Sequence, residues 1–311
     1  MVVASPARVG PPVGTPRRAT GGRPRGRLAP ALFLSPLVVL LVVWIYGPAV
    51  FTFVLSFSSW SLVGDNQFVA LENYRSLFAR TEFPQSVWQT LAYSALLLPF
   101  ATVVPMALAI MLWQRVSKFS QGYRVVLFVP MMVAPVAHAT SWSFILQPLT
   151  GLATKVAEVF GGTAPNWLGN QSTALVTIVM ITSAKLIAQN LLLYTAALAP
   201  ITRNTLQAAR IEGATWFDIT RHVVEPQLRP VTLLLGALSF ITAGQWVFNN
   251  ISVLTQGGPA YATDNIFYTI YRLGFTFFET GQASAAAVLL VVVVVLLSLP
   301  LLKLQTKAGG R

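Results

Sequence analysis

Cysteine is absent from the 311 residues, which excludes disulfides, thiolate metal sites and cysteine nucleophiles. Charge is almost as scarce. Asp, Glu, Lys and Arg make up 10% of the chain, against about 25% in a soluble domain, too few to coat a water-facing surface. Acids are the rarer sign, with nine against 21 bases. Histidine occurs only at His138 and His222, so the clustered His and carboxylates of an active site are not available, and no catalytic or metal-binding residue is assigned. No phosphate loop of the form G-x-x-x-x-G-K-[ST] is present, so the chain has no ATP site of its own.

Hydrophobic residues are abundant, at 55%, and they are gathered into long blocks. A spanning helix needs roughly 20 mostly apolar residues. Runs of that kind occupy about Leu28 to Phe57, Thr90 to Trp113, Val125 to Leu146, Thr173 to Ala199, Pro230 to Leu254 and Gly281 to Leu302. The expected fold is therefore an all-α membrane protein with six transmembrane helices. Pro130, Pro135 and His138 interrupt the third run, and prolines inside spans commonly mark kinks. The first run is too long for the apolar part of a signal peptide and is read as an uncleaved span. Residues 1–27, rich in Arg, Pro and Gly, are expected to form a disordered basic tail ahead of a membrane domain over residues 28–311.

Loop charge orients the spans. Sixteen Lys and Arg fall in the tail, the second and fourth loops and the C-terminus; four fall in the first, third and fifth loops. Basic residues are retained in the cytoplasm, so both termini and the even-numbered loops are expected on that side. The net charge of +12 sits in these short segments and forms no stripe for nucleic acid.

The fourth loop, residues 203–230, departs from the rest. It contains QAARIEGATWFDITRHVVEPQLRP and three of the nine acids, Glu212, Asp218 and Glu225. Helix formers around Ala208, Ala209 and Arg210, a break at Gly213 and a second short helix from Trp216 to Val224, ended by Pro226, predict a compact helical hairpin. Its small residues, Ala214 among them, would let another surface approach, with Trp216 and Phe217 as apolar anchors.

This segment resembles the EAA loop of ABC import permeases, with Gln207 in place of the Glu and Ala208, Ala209 and Gly213 matching. Val223 and Pro226 fit the closing element, and Glu225 stands where Leu is usual. ALENYRSLF (70–78), VPMMVAP (129–135), LTQGGPAYAT (254–263) and IYRLGF (270–275) are similar to further segments of the carbohydrate branch of that family, the maltose and glycerol-phosphate type. The resemblance implies a coupling helix over Gln207, Ala208, Ala209, Arg210, Gly213, Ala214, Trp216, Phe217, Asp218 and Pro226. It implies as partners a second permease, two ATP-binding cassette subunits carrying ATP and Mg, and an extracytoplasmic solute-binding protein. The chain would be a transport subunit of the inner membrane without its own ATPase.

Polar residues inside the spans are expensive and usually face a cavity or a partner. Lys185 and Gln189 share one face of the fourth span, while Asn190 and Tyr194 lie on another. Thr242, Gln245, Trp246 and Asn249 follow helical spacing in the fifth, with Asn250 beside them, and His138 and Trp142 do so in the third. Such residues either bond neighbouring helices or line a wetted path for a polyhydroxylated solute, Trp246 with Asn249 and Asn250 foremost. No acid lies at the depth of Lys185, which leaves a partner's carboxylate, a backbone carbonyl or a solute anion to meet it. Lys185 and IYRLGF favour a glycerol-3-phosphate-type solute over an oligosaccharide. An ion-coupled secondary transporter is the competing reading, but it commonly needs an intramembrane Asp or Glu, and all nine acids fall in loops or at span edges.

Overall fold

The computed structural model describes residues 28–60, 67–114, 118–163, 165–201 and 203–309. The basic tail over residues 1–27 lies outside them. The described residues up to 50 and those from 51 onward form two units. In the first, helix α1 (Leu28–Leu41) runs through a π turn at Val42–Tyr46 into the start of α2 (Gly47–Leu55). The side chains from Leu32 to Val50 are exposed, the arrangement lipid favours.

The second unit holds α3 (Glu72–Ala79), α4 (Glu82–Ala101), α5 (Val103–Gln114), α6 (Lys118–Met132), α7 (Pro135–Ile145), α8 (Leu152–Val159) and α9 (Gln171–Leu198). It continues with α10 (Arg203–Ile211), α11 (Trp216–Ile219), α12 (Glu225–Asn250), α13 (Ile266–Tyr271) and α14 (Thr280–Gly309). Among the described residues there is no strand, only a lone antiparallel bridge between Ser58 and Phe68. Five helices are long and apolar enough to cross a membrane: Leu32–Leu55, Glu82–Trp113, Gln171–Leu198, Trp216–Thr255 and Thr280–Pro300. The bent pair Val125–Met132 and Pro135–Ile145 makes a sixth if it counts as one span.

Three crossings differ from their expected form. The second begins eight residues early, at Glu82, and breaks at Thr102 (φ −121°, ψ −68°) between α4 and α5. The third turns by 103° between α6 and α7. Ala134 there is extended (ψ 140°), as the residue before a proline prefers, and Pro135 opens α7 where its missing N–H costs nothing. The fifth does not end its hairpin arm at Pro226. A π turn at Thr220–Val224 shifts pairing so that Glu225 N–H reaches Thr220 O, and the chain runs on through the proline as one helix from Trp216 to Thr255. Pro226 then falls in the first turn of α12, where the missing N–H of a proline is tolerated.

Helix α9 is the central post. Of its most apolar stretch 61% is buried, against 33% for Glu82–Trp113, the next most enclosed span. It packs on α4, α5, α6 and α12. Ile178 and Leu186 meet Tyr93, Leu97 and Val247 in one core cluster, and Leu191 and Leu198 meet Ile219, Val224 and Leu228 in another.

The chain after α12 folds into a buried polar knot. Thr263, Asp264 and Asn265 are fully enclosed. Asn265 caps α13 by accepting from Tyr268 N at 2.8 Å, and its Nδ2 donates to Gly244 O at 2.7 Å. Tyr93 Oη donates to Thr263 O at 3.0 Å. Gly244 is required by this approach, because a Cβ there would come within 2.7 Å of the Phe267 ring. Arg272 pairs with Asp264 at 3.1 Å and lies 4.9 Å from the Tyr261 ring centroid. Arg80 pairs with Glu279 near the start of α14. The acid nearest a span therefore serves a loop-to-loop ion pair.

Removing one partner of a buried ion pair leaves the other uncompensated, so Arg272→Met is expected to cost about 3–5 kcal/mol, read as a lowered unfolding midpoint of the purified chain. Burial pushes the Asp264 carboxyl up to about 6, with the Arg272 guanidinium only partly offsetting it. A folded pKa above the unfolded value means that the folded state holds the proton more tightly. This group's contribution to stability therefore falls as pH rises from about 4 to 6 and stays low above that. Asp264→Asn removes that part of the pH slope in unfolding measured at pH 4.5 and 7, and an unchanged slope contradicts it.

Candidate functional site

Helices α7, α9 and α12 line a half-open cavity of about 450 Å³. Eight of the eleven residues expected on a solute path line it: His138 from α7, Lys185 and Gln189 from α9, and Thr242, Gln245, Trp246, Asn249 and Asn250 from α12. Pro135, Thr182 and Leu238 complete the wall. Pro135 and Leu238 carry no polar group, so spacing of polar residues could not have found them.

The other three expected residues do not line it. Asn190 is buried and donates from Nδ2 to Ala101 O at 2.7 Å, with Ser239 Oγ at 3.4 Å. Tyr194 is fully buried in the apolar cluster with Leu191, Leu198 and Leu228. Both face neighbouring helices: Asn190 bonds them, whereas Tyr194 fills the apolar cluster, its hydroxyl buried without a hydrogen-bond partner. Trp142 sits one turn beyond His138 and donates from Nε1 to His138 Nε2 at 3.2 Å.

Lys185 meets a backbone carbonyl. Its Nζ donates to Val133 O at 2.6 Å, at the bend between α6 and α7. A helix end leaves its last carbonyls unpaired, and a cation there also matches the negative end of the helix dipole. Among the described residues that line the cavity, none is Asp or Glu. Asn250 Nδ2 donates to Thr182 Oγ1 at 2.8 Å, tying α12 to α9 at the cavity's edge. The wall thus presents one cation, four amides, an imidazole and an indole to whatever enters. Such a surface can hydrogen-bond hydroxyl and oxyanion oxygens and cover an apolar sugar face.

The hairpin after α9 forms as a distinct unit. Gly213 closes α10 with φ +79°. Ala214 N–H bonds Ala209 O at 3.0 Å and Gly213 N–H bonds Arg210 O at 3.1 Å, the Schellman pairing in which glycine alone adopts the left-handed turn without strain. Two residues later Thr215 opens α11. Its hydroxyl and amide both donate to the Asp218 carboxylate, and Asp218 N–H returns a bond to Thr215 at 3.3 Å. Asp218, which the resemblance placed in the coupling helix, here completes a capping box.

Exposure divides the expected coupling residues. Gln207, Ala208, Arg210, Gly213, Phe217 and Pro226 are exposed, whereas Ala209, Ala214, Trp216 and Asp218 are half-buried. Trp216 is not an outward anchor. Its ring stacks at a tilt 6.5 Å from that of Trp113 and joins the cluster that seats the hairpin on the bundle. The outward apolar groups are Phe217 (66% exposed) and Ile211 (87% exposed). Ile211 was missed because it lies between charged neighbours, and only the fold shows that it points away from the core.

No family model matches the sequence. Among curated proteins, the sn-glycerol-3-phosphate transport system permease protein UgpA of Salmonella typhimurium is 31% identical over 262 residues, covering 84% of this chain and 88% of that protein. The arabinooligosaccharides transport system permease protein AraP of Bacillus subtilis is 29% identical over 280 residues, covering 89% of this chain and 88% of its own. In three dimensions, the structure of a bacterial alginate ABC transporter in complex with an alginate pentasaccharide-bound periplasmic protein contains a chain that matches with a TM-score of 0.79 at 22% identity, covering 87% of this chain and 91% of that one. The helix order, the membrane crossings and a relative above 30% identity over most of both chains agree, and the chain belongs to the membrane permeases of ABC transporters for sugars and glycerol 3-phosphate.

Proposed function

We propose that the chain is one of two pore-forming subunits of an ATP-driven importer, with both termini and the hairpin over residues 203–230 on the cytoplasmic side. The excess of Lys and Arg in the tail, the even loops and the C-terminus supports that orientation. Two ATP-binding cassette subunits, carrying ATP and Mg, grip the hairpin around Gln207 to Pro226. An extracytoplasmic binding protein delivers the solute, by analogy with the alginate transporter, whose complex holds a pentasaccharide-bound periplasmic protein.

The observation that carries this reading is a continuous lever. One helix runs from Trp216 to Thr255, about 60 Å at 1.5 Å per residue. It holds the hairpin's second arm at one end and Thr242, Gln245, Trp246, Asn249 and Asn250 of the cavity wall toward the other. Displacing the hairpin therefore moves the wall directly, without a hinge at Pro226. Chemical work at a separate ATPase can reach the solute path along this helix.

The solute is a polar, hydroxylated molecule of the sugar or glycerol-phosphate type. The amides and Trp246 suit either. Lys185 in an acid-free wall favours the glycerol-3-phosphate type, the solute for which UgpA is named, while AraP at nearly the same identity is named for arabinooligosaccharides.

Gly213→Val tests the lever. A β-branched residue in the left-handed region costs roughly 1–3 kcal/mol, and the hairpin must distort to avoid it. ATP-driven uptake by the assembled transporter in proteoliposomes is expected to fall by about tenfold while the complex still inserts; undiminished uptake contradicts the docking role. The orientation is tested with Phe217→Cys, a unique thiol in a chain without cysteine. A membrane-impermeant maleimide is expected to label it in inside-out vesicles and to leave it unlabelled in intact cells, and the reverse pattern overturns the topology.

A further inference from the structure

A hydrogen bond from behind the cavity wall fixes the tautomer of His138, which lines it. Trp142 Nε1 carries only a donor, and it lies 3.2 Å from His138 Nε2. His138 Nε2 must therefore accept, which places the ring hydrogen on Nδ1. His138 Nδ1 is buried and has no partner, and an unsatisfied buried donor is costly. Lys185 lines the same cavity, and its Nζ bonds the carbonyl of Val133, five residues before His138. Of its three ammonium hydrogens, the bond to Val133 O uses one. No Asp or Glu among the described lining residues offsets this charge.

We infer that His138 and Lys185 form an oxyanion subsite that receives a phosphate or carboxylate of the transported solute. This rests on the permease reading above and adds to it the place where a charged group is held. Lys185 supplies the counter-charge through two further ammonium hydrogens. The His138 Nδ1–H supplies a neutral donor whose tautomer Trp142 sets, which makes Trp142 a positioning residue. Gln189, Gln245 and Asn249 on the same wall are left for the hydroxyls of the remaining part of the molecule. Because Lys185 keeps its bond to Val133 O at the bend between α6 and α7, the subsite is anchored to the broken span, and occupancy is felt at that bend.

The test measures binding to the assembled transporter in nanodiscs by calorimetry, with glycerol 3-phosphate and glucuronate as charged probes and glycerol and glucose as their neutral counterparts. A charge-assisted pair predicts that each anion binds about tenfold to a hundredfold more tightly than its neutral counterpart. Lys185→Met is expected to abolish that preference and Lys185→Arg to retain it. His138→Leu is expected to weaken both anions without changing the neutral probes, and His138→Asn, which keeps a donor near the Nδ1 position, to restore them. Tighter binding of glycerol 3-phosphate than of glucuronate assigns the subsite to phosphate, and the opposite order assigns it to carboxylate. Equal binding of charged and neutral probes, no binding of either anion, or an undiminished preference in Lys185→Met overturns the proposal. ATP-driven uptake of the same four probes is a separate readout. Uptake without charge preference keeps the permease reading and removes the subsite, whereas charge preference without ATP-driven uptake does the reverse.

Discussion

Within lipid a backbone carbonyl has no water to turn to, so every break in a spanning helix must be answered by a donor from the protein itself. Two neighbouring crossings are broken here, at Thr102 between α4 and α5 and at Val133–Ala134 between α6 and α7. Both are answered from α9. Asn190 Nδ2 reaches Ala101 O at 2.7 Å, and Lys185 Nζ reaches Val133 O at 2.6 Å. The two donors stand five residues apart on one helix, which places them on different faces, each turned to a different neighbour. The high burial of α9 follows, because a post that satisfies breaks on two sides must be enclosed on two sides.

These breaks open the bundle without exposing peptide groups to lipid. With α7 turned by 103° away from α6, the wall of the cavity is built from α7, α9 and α12 in place of a continuous third span. Lys185 belongs to both the repair of the break and the wall. A residue that does both links what occupies the cavity to the shape of the helix pair beside it. The helix from Trp216 to Thr255, by contrast, is continuous through the π turn at Thr220–Val224, so the hairpin and the cavity share one element. The knot at the far end of α12 holds that lever in register: Asn265 bonds the Gly244 carbonyl, Tyr93 bonds the Thr263 carbonyl, and the bare Cα of Gly244 admits Phe267.

Much of this was legible in the residues. Apolar run length located the crossings, since lipid thickness sets a helix length that does not depend on tertiary contacts. The hairpin was legible because Gly213 and the Thr215–Asp218 pair encode its turn and its second start locally. Eight of eleven polar positions fell on the cavity, because polar groups at membrane depth have few uses. The misplaced ones are informative. Asn190 and Tyr194 obey the same spacing rules as Lys185, but they face α4, α5 and α12 at levels where those helices close on α9. Periodicity reports a face and is silent about what stands opposite.

Run lengths, the sign of loop charge and local turn chemistry depend on interactions between a residue and its solvent or its near neighbours in the chain, and those locate the apolar crossings and the turn of the hairpin without reference to the fold. Whether Trp216 points outward or seats itself on Trp113, whether Lys185 meets a carbonyl or an acid, and whether Pro226 ends a helix are questions about groups far apart in the chain. Lys185 and Val133 are separated by 52 residues, and only the packing of α6 against α9 brings the ammonium to a carbonyl at the bend.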